Sequence, residues 1–513
     1  VAFADLDNDG DLDAYTGLDT REPKTIELPD GTMLEVAETS EVLFNDGAGN
    51  FTLAPEDHPL RRARLQDVPS GAAFVDADRD GNIDLWQSQG GLGAPLQDRL
   101  WGGDGTGVLR DATVEYGLIT RAWEDLDDLN AARGHTTAWS AAACDLNGDG
   151  RPELLAGSYG RAPNHLWQAG TDGRYVNRSV ESGYAYDDDM EWTGDQFARC
   201  FCQQNRAAEG CADAPPPNIV CSQPNWNHDI GREPFRLGGN SGATVCVDVD
   251  NDGHLDLYTT EIRHWWAGPG ADAGELLHNT GEDDVRFVRP GRDAVGLTLE
   301  HDTPSWDEGF ITAGSLDVDN DGRDEIYVGA TDYPGNRGRL YHNESTPGAP
   351  MFAEVPTSDF FEHNRSHGMA VADFDRDGDL DLMVGHSRAR CDAMAPNNCY
   401  ETMQVRLFEN IRGQDGNWVQ LALEGGEGSN RAAIGARVTI TLGDRTLVQE
   451  VGGGYGHFGA QRDQVLHFGL EDACEAEVTV RWPDRDGTTQ TFTLPAGHRF
   501  FLRQGEAPVL APR

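Results

Sequence analysis

Short apolar runs, each closed by glycine or by an acidic turn, recur along the first four-fifths of the chain. Val1-Ala-Phe3 and Gly71-Ala-Ala-Phe-Val75 precede such turns, and Leu85-Trp86 and Leu382-Met-Val384 follow them. Runs this short, without a 3.6-residue period, predict buried strands rather than helices. A second apolar element follows each turn at a distance. It is Glu41-Val-Leu-Phe-Asn45 leading to Phe51, Arg99-Leu-Trp101, His165-Leu-Trp167, Leu276-Leu-His-Asn279, Arg339-Leu-Tyr-His-Asn343 and Arg406-Leu-Phe-Glu-Asn410. An apolar pair, a polar turn and an aromatic strand make a hairpin, so each unit is two hairpins, or four strands. After about Asp415 the pattern changes to strict alternation. It marks strands at Asn417–Leu423, Gly435–Leu442, Thr446–Glu450, Gln464–Phe468 and Glu477–Trp482. Alternation between Gly and Asp turns predicts an antiparallel sandwich with one face of each strand buried.

The acidic turns share one spacing. The first is Asp5, Asp7, Asp9, Gly10, Asp11, Asp13, and the second is Asp76, Asp78, Asp80, Gly81, Asn82, Asp84. Then come Asp145, Asn147, Asp149, Gly150, Arg151, Glu153, and Asp248, Asp250, Asp252, Gly253, His254, Asp256. The last two are Asp317, Asp319, Asp321, Gly322, Arg323, Glu325, and Asp373, Asp375, Asp377, Gly378, Asp379, Asp381. Positions 1, 3, 5 and 9 carry side-chain oxygens and position 6 is glycine, which takes positive φ without steric cost. Ca²⁺ takes six to eight hard oxygen ligands, so one sharp loop of this composition suits it. Position 7 varies among Asp11, Asn82, Arg151, His254, Arg323 and Asp379, as expected where only its backbone carbonyl binds. About six calcium sites are expected. An EF-hand is excluded, because it needs a bidentate Glu at position 12 and flanking helices.

These loops resemble those of the FG-GAP and VCBS repeat families, where a nine-residue acidic loop joins two strands of a β-propeller blade. The resemblance implies an all-β fold with a propeller over 1–415, seven blades favoured and six possible, since a closing strand would lie upstream of Val1. The longer interval between the third and fourth loops holds an insertion at about 184–240. Asn430-Arg-Ala-Ala-Ile-Gly-Ala-Arg-Val438, Glu450-Val-Gly-Gly-Gly-Tyr455, Leu466-His-Phe-Gly-Leu470 and Val480-Arg-Trp-Pro-Asp484 resemble the ASPIC/UnbV module. That module follows such repeats in cartilage acidic and UnbV-like proteins, and here it would form a β-sandwich over 416–513. Its turn is two residues longer than expected, as Pro483-Asp-Arg-Asp-Gly487.

The formal net charge is −48 and Lys24 is the only lysine. Such a surface repels nucleic acid and anionic membranes and suits cations or basic partners. No apolar run is long enough to make a membrane-spanning helix. Of the nine cysteines, Cys200, Cys202, Cys211 and Cys221 crowd the Pro-rich insertion and Cys391 and Cys399 sit close together. Both groups read as disulfide staples, whereas Cys144 and Cys246, in Ala/Val-rich surroundings, read as buried thiols. Disulfides and calcium together point to an extracellular or periplasmic location.

Other motifs carry less. Gly454-Tyr-Gly456-His-Phe-Gly459 matches GxGxxG, but no helix or βαβ unit surrounds it, so a glycine turn is the better reading. His135, His363, His367 and His386 could assemble an acid–base site, and Trp192, Trp226, Trp265, Trp266 and Trp306 a contact surface. The expected function is a secreted or cell-surface calcium-binding scaffold for adhesion or recognition, with a protein or glycan partner. The alternative is an extracellular enzyme with its site in the central channel, where His135, His367, Arg263 and Arg337 would have to converge.

Overall fold

The computed structural model describes all residues except 20–23, 37–38, 63–66, 92–94, 188, 222–234, 302–303, 332, 334, 392–398, 414–415, 458–459 and 512–513. Trp226 and Gly459 therefore lie outside the described residues.

Nearly all of the regular structure is β-strand, and the strands up to Phe408 are arranged as six consecutive units. In unit one, Ala2–Ala4, Asp13–Thr16, Glu41–Asn45 and Phe51–Leu53 pair in sequence order, with a separate hairpin of Lys24–Glu27 and Met33–Val36. Unit two runs Pro69–Val75, Asp84–Gln89, Arg99–Gly103, Leu109–Asp111. Unit three runs Thr137–Cys144, Glu153–Tyr159, His165–Ala169, Tyr175–Asn177. Unit four is Ser241–Val247, Asp256–His264, Glu275–Asn279, Phe287–Val288, and unit five is Asp307–Leu316, Glu325–Ala330, Arg339–Asn343, Phe352–Glu354. Unit six has three strands among the described residues, Ser366–Ala372, Asp381–His386 and Gln404–Phe408. In every unit the acidic loop joins the first strand to the second, as the apolar runs predicted.

The first strand of each unit packs against that of the next, from unit one through to unit six. These strands are rich in Ala and Gly because their neighbours approach closely. A Cβ on Gly71 would sit 2.3 Å from the Ala141 nitrogen, and one on Gly242 2.6 Å from the Ile311 Cα. The insertion carries the helix Gln196–Gln204, capped by the Asp195 carboxylate, and the disulfides Cys200–Cys221 and Cys202–Cys211. Cys391–Cys399 closes the loop after the second strand of unit six.

Two expectations are corrected here. Cys144 and Cys246 are bonded to each other rather than being free thiols. They stand at corresponding ends of adjacent first strands, and a one-dimensional reading does not place those ends side by side. The C-terminal region forms two four-stranded sheets, as the alternation predicted, but one of them is mixed. Asn417–Glu424 pairs antiparallel with Leu466–Glu471 and parallel with His498–Arg503. The other sheet, Arg445–Glu450, Arg437–Leu442, Glu475–Arg481 and Thr489–Pro495, is antiparallel throughout. The C-terminal sheets do not stand apart from the units. One core joins Leu6, Tyr15, Phe74 and Trp101 to Val438, Phe468, Val480 and Trp482.

Candidate metal centres

Each acidic loop is shaped by its own carboxylates. The position-1 group accepts the backbone N–H of position 6: Gly10 to Asp5 at 2.9 Å, Gly81 to Asp76 at 3.0 Å, Gly322 to Asp317 at 2.7 Å. The position-9 group accepts from position 2, as Leu6 does to Asp13 and Leu146 to Glu153. Its other oxygen takes the N–H that ends the third strand, from Asn45, Gly103, Asn279, Asn343 or Asn410. Position 6 has positive φ in all six loops, and so has position 4, as Asn8, Arg79, Gly148, Asn251, Asn320 and Arg376. With two left-handed residues in one turn, the side chains of positions 1, 3 and 9 come together in loops one, two and four, while position 5 is exposed at Asp9, Asp80, Asp149 and Asp377.

Carboxylate oxygens consequently crowd together. Asp5, Asp7 and Asp13 bring one oxygen each within 4.8 Å of one another, as do Asp76, Asp78 and Asp84, and Asp248, Asp250 and Asp256. Burial comes first in raising their pKa values, and like charge adds to it. Asp5 and Asp13 are pushed up to about 6 and Asp76 to about 7. Glu325 is also pushed up to about 7. Burial lifts Asp84, Glu153, Asp248, Asp256 and Asp317 well above the carboxylate range. Several oxygens are buried with no protein partner: Asp145 Oδ1, Glu153 Oε1, Asp250 Oδ1, Asp319 Oδ1, Asp373 Oδ1 and Asp379 Oδ2. An anionic oxygen buried without a donor costs several kcal/mol unless something cationic meets it. The residues present therefore fit a hard divalent cation, and the donor set in loops one, two and six is all oxygen.

The C-terminal sheets cover the loop end of the units. A Cβ on Gly10 would strike Arg431, on Gly150 would approach Arg481, on Gly253 Thr446, on Gly322 Leu447 and on Gly378 Trp418. Arginines reach the loop backbones: Arg431 to the Asp9 carbonyl at 2.9 Å, Arg437 to Asp145 and Gly253, Arg445 to Asp321, Arg481 to Gly148. Arg481 also pairs with the Asp145 carboxylate, and Gln420 donates to Asp373 Oδ2 at 2.8 Å. From the same sheets the glycine-rich segment enters among the first strands. The Phe74 N–H donates to the Gly453 carbonyl, and Gly456–His457 pairs with Ser140 and Ala141. Tyr455 packs into the cores of units three to five, and Gln461 bonds both backbone groups of Phe3. Gly454 and Gly456 thus serve close packing, in keeping with the reading of GxGxxG as a turn.

The four residues offered for a catalytic channel each have a partner or neighbour of their own. His135 bonds Thr120 Oγ1 at 2.5 Å, and Arg263 lies over Trp306. Arg337 pairs with Glu354, and His367 lies near His457. His363 and His386 are neighbours at 5.9 Å between rings, and burial pushes His363 down to about 4. Cys391 and Cys399 beside His386 are bonded to each other and offer no thiolate.

Sequence reasoning missed the arginines, the third-strand asparagines and two histidines. His278 Nε2 lies 3.0 Å from Asp250 Oδ2, and His342 Nδ1 lies 2.8 Å from Glu325 Oε1. Asn279 Nδ2 donates to the Leu146 carbonyl of the preceding unit's loop. Asn343 does the same to Val249, and Asn410 to Val318. The Asn recurring at the end of the second element in units one, four, five and six was the available signal.

Profiles of known families match three stretches. "ASPIC and UnbV" covers 426–509, "FG-GAP-like repeat" 317–384 and "FG-GAP repeat" 137–174. Cartilage acidic protein 1 of Mus musculus is 25% identical over 71% of this chain and 55% of its own length. The Xenopus tropicalis protein of that name is 25% identical over 94% of this chain and 70% of its own. The chain spans about half the length of the mammalian relatives it matches. The V. cholerae biofilm matrix protein Bap1 aligns with 85% of this chain and 62% of its own at 12% identity, but with a TM-score of 0.31 it carries no argument.

Proposed function

We propose that this chain, which carries FG-GAP repeats followed by an ASPIC/UnbV domain, is a calcium-built extracellular recognition scaffold. The carrying observation is that loops three to six each keep a buried carboxylate oxygen without a protein donor, at positions their spacing assigns to a cation. Calcium bound there would supply the positive charge that lets several carboxylates stay ionised side by side. The six units then form a β-propeller whose loop end is locked under the C-terminal domain. Unit one and unit six each expose apolar side chains, among them Phe51, Leu53, Val405 and Leu407. Those flanks, and a unit six with three strands among the described residues, support a seven-bladed ring over a six-bladed one.

With the loop end covered, recognition falls to the opposite end and the rim. There the insertion and the Trp265–Trp266 and Trp306 region present half-buried aromatics beside arginine and histidine, a surface suited to a protein or glycan. Disulfides in loops with little core of their own support an oxidising compartment, as do relatives named cartilage acidic protein. The enzyme alternative loses support, because its four residues keep separate partners and the glycine-rich segment packs among the first strands.

Calorimetric titration of chelator-stripped protein tests the reading. Five or six calcium ions bound with a large rise in melting temperature is the expected result. No heat and unchanged melting would reduce the loops to solvated turns.

A further inference from the structure

We propose that the loop of unit four is a mixed nitrogen–oxygen site that takes a borderline transition metal ion, Zn²⁺ or Co²⁺, in preference to calcium. The inference rests on reading the loops as metal sites and says which ion one of them selects.

His278 Nε2, an Asp250 oxygen and an Asp252 oxygen lie within 4.8 Å of one another. The histidine comes from the third strand, at the position just before the asparagine that closes the loop. In units one, two and six that position is Phe44, Gly102 and Glu409, so no imidazole stands there. In unit five it is His342, but that ring turns Nδ1 to the position-9 carboxylate and is more exposed. A second observation points to a ligand: Asp250 is 1% exposed, yet its Oδ1 has no partner. The His278 ring stands directly beside the position-3 carboxylate, with Nε2 3.0 Å from Asp250 Oδ2. Calcium prefers oxygen alone, whereas imidazole with carboxylate suits Zn²⁺, Co²⁺ and Mn²⁺.

The test uses the full chain, stripped with chelator, saturated with calcium and then given one equivalent of Mn²⁺ as a paramagnetic probe. Electron spin-echo modulation is expected to show nitrogen coupled to the bound manganese. The coupling should vanish in His278→Gln and persist in His342→Gln, and Zn²⁺ affinity should fall on the order of 10–100-fold in the first variant only. If His278→Gln does not fold, ¹⁵N-histidine labelling of the unaltered chain gives the same reading, with His342→Gln excluding the other ring. Manganese bound without nitrogen coupling, coupling that survives His278→Gln, or no manganese uptake beside calcium would each overturn the proposal. Failure of calcium itself to bind would instead sink the scaffold reading, and the calcium-free manganese spectrum would then decide for His278 alone.

Discussion

The two ends of the repeat units are held by different chemistry. At the loop end, besides the carboxylate clusters within each loop, the contacts are long in sequence: arginines arriving from the C-terminal sheets, and Cys144–Cys246, with a sequence separation of 102. At the opposite end staples within one segment stand beside pairing between units, as where Ile262–His264 of unit four pairs with Asp307–Gly309 of unit five. The disulfides there span 21, 9 and 8 residues, and the insertion packs on its own aromatics, with Trp192 and Phe201 against Phe235. The local staples hold a segment in shape, and it is the strand pairing beside them that couples units four and five. The loop end ties units to one another and to the C-terminal sheets.

Removing the loop ligand should break this comparison most forcefully. Chelation is expected to lower protection from hydrogen exchange in the repeat strands and in the C-terminal sheets together, because they share one core. Loss confined to the repeats would show the two regions to be independent. Gly453→Val comes next, since a Cβ at Gly453 meets the Phe74 carbonyl at 1.9 Å. Urea unfolding should show it destabilised by about 3 kcal/mol or more, in the range of severe overpacking. Replacing both Cys144 and Cys246 by Ala should cost about 2–4 kcal/mol in the same measurement. The Cys391–Cys399 pair, closing a short loop, should cost less.

The effect of pH sharpens the contrast further. In metal-free protein Asp5, Asp13 and Asp76 have folded pKa values raised to about 6 to 7, so their contribution is full at low pH and is lost as pH rises through those values. Bound calcium would hold the same carboxylates ionised and reverse the slope. The gap in melting temperature between loaded and stripped protein should therefore widen from about pH 4 to about pH 7. A constant gap would mean that these carboxylates are not the ligands. At the small end, Arg110→Ala removes a pair with Glu115 in which both side chains are more than half exposed. It should change stability by less than about 0.5 kcal/mol.

What the sequence disclosed follows the same division. The loops, the hairpin order and the strands of the C-terminal region were legible because each rests on a pattern within ten residues. The strand at Glu475–Arg481, for instance, matches the alternation seen from Glu477 to Trp482. Contacts between distant positions left no such pattern. Nothing around Arg437 announces the Asp145 and Gly253 carbonyls, and nothing in the glycine run 452–456 announces the first strands it packs among. Arg79 and Arg376 at position 4 take positive φ without the Asn or Gly that would have advertised it. The parallel pairing of 417–424 with 498–503 also escaped, because alternation reports which face is buried and not which way a neighbour runs.

The asparagines that reach back from one unit to the loop before it have a consequence for how the chain is made. As it leaves the ribosome, the loop of unit three waits for Asn279, that of unit four for Asn343 and that of unit five for Asn410. Assembly then advances like a ratchet, each newcomer fastening its predecessor. The covering sheets emerge after all six units, so a nascent chain halted after unit six would present its whole bank of acidic loops bare to the solvent, free to trade ions until the lid arrives.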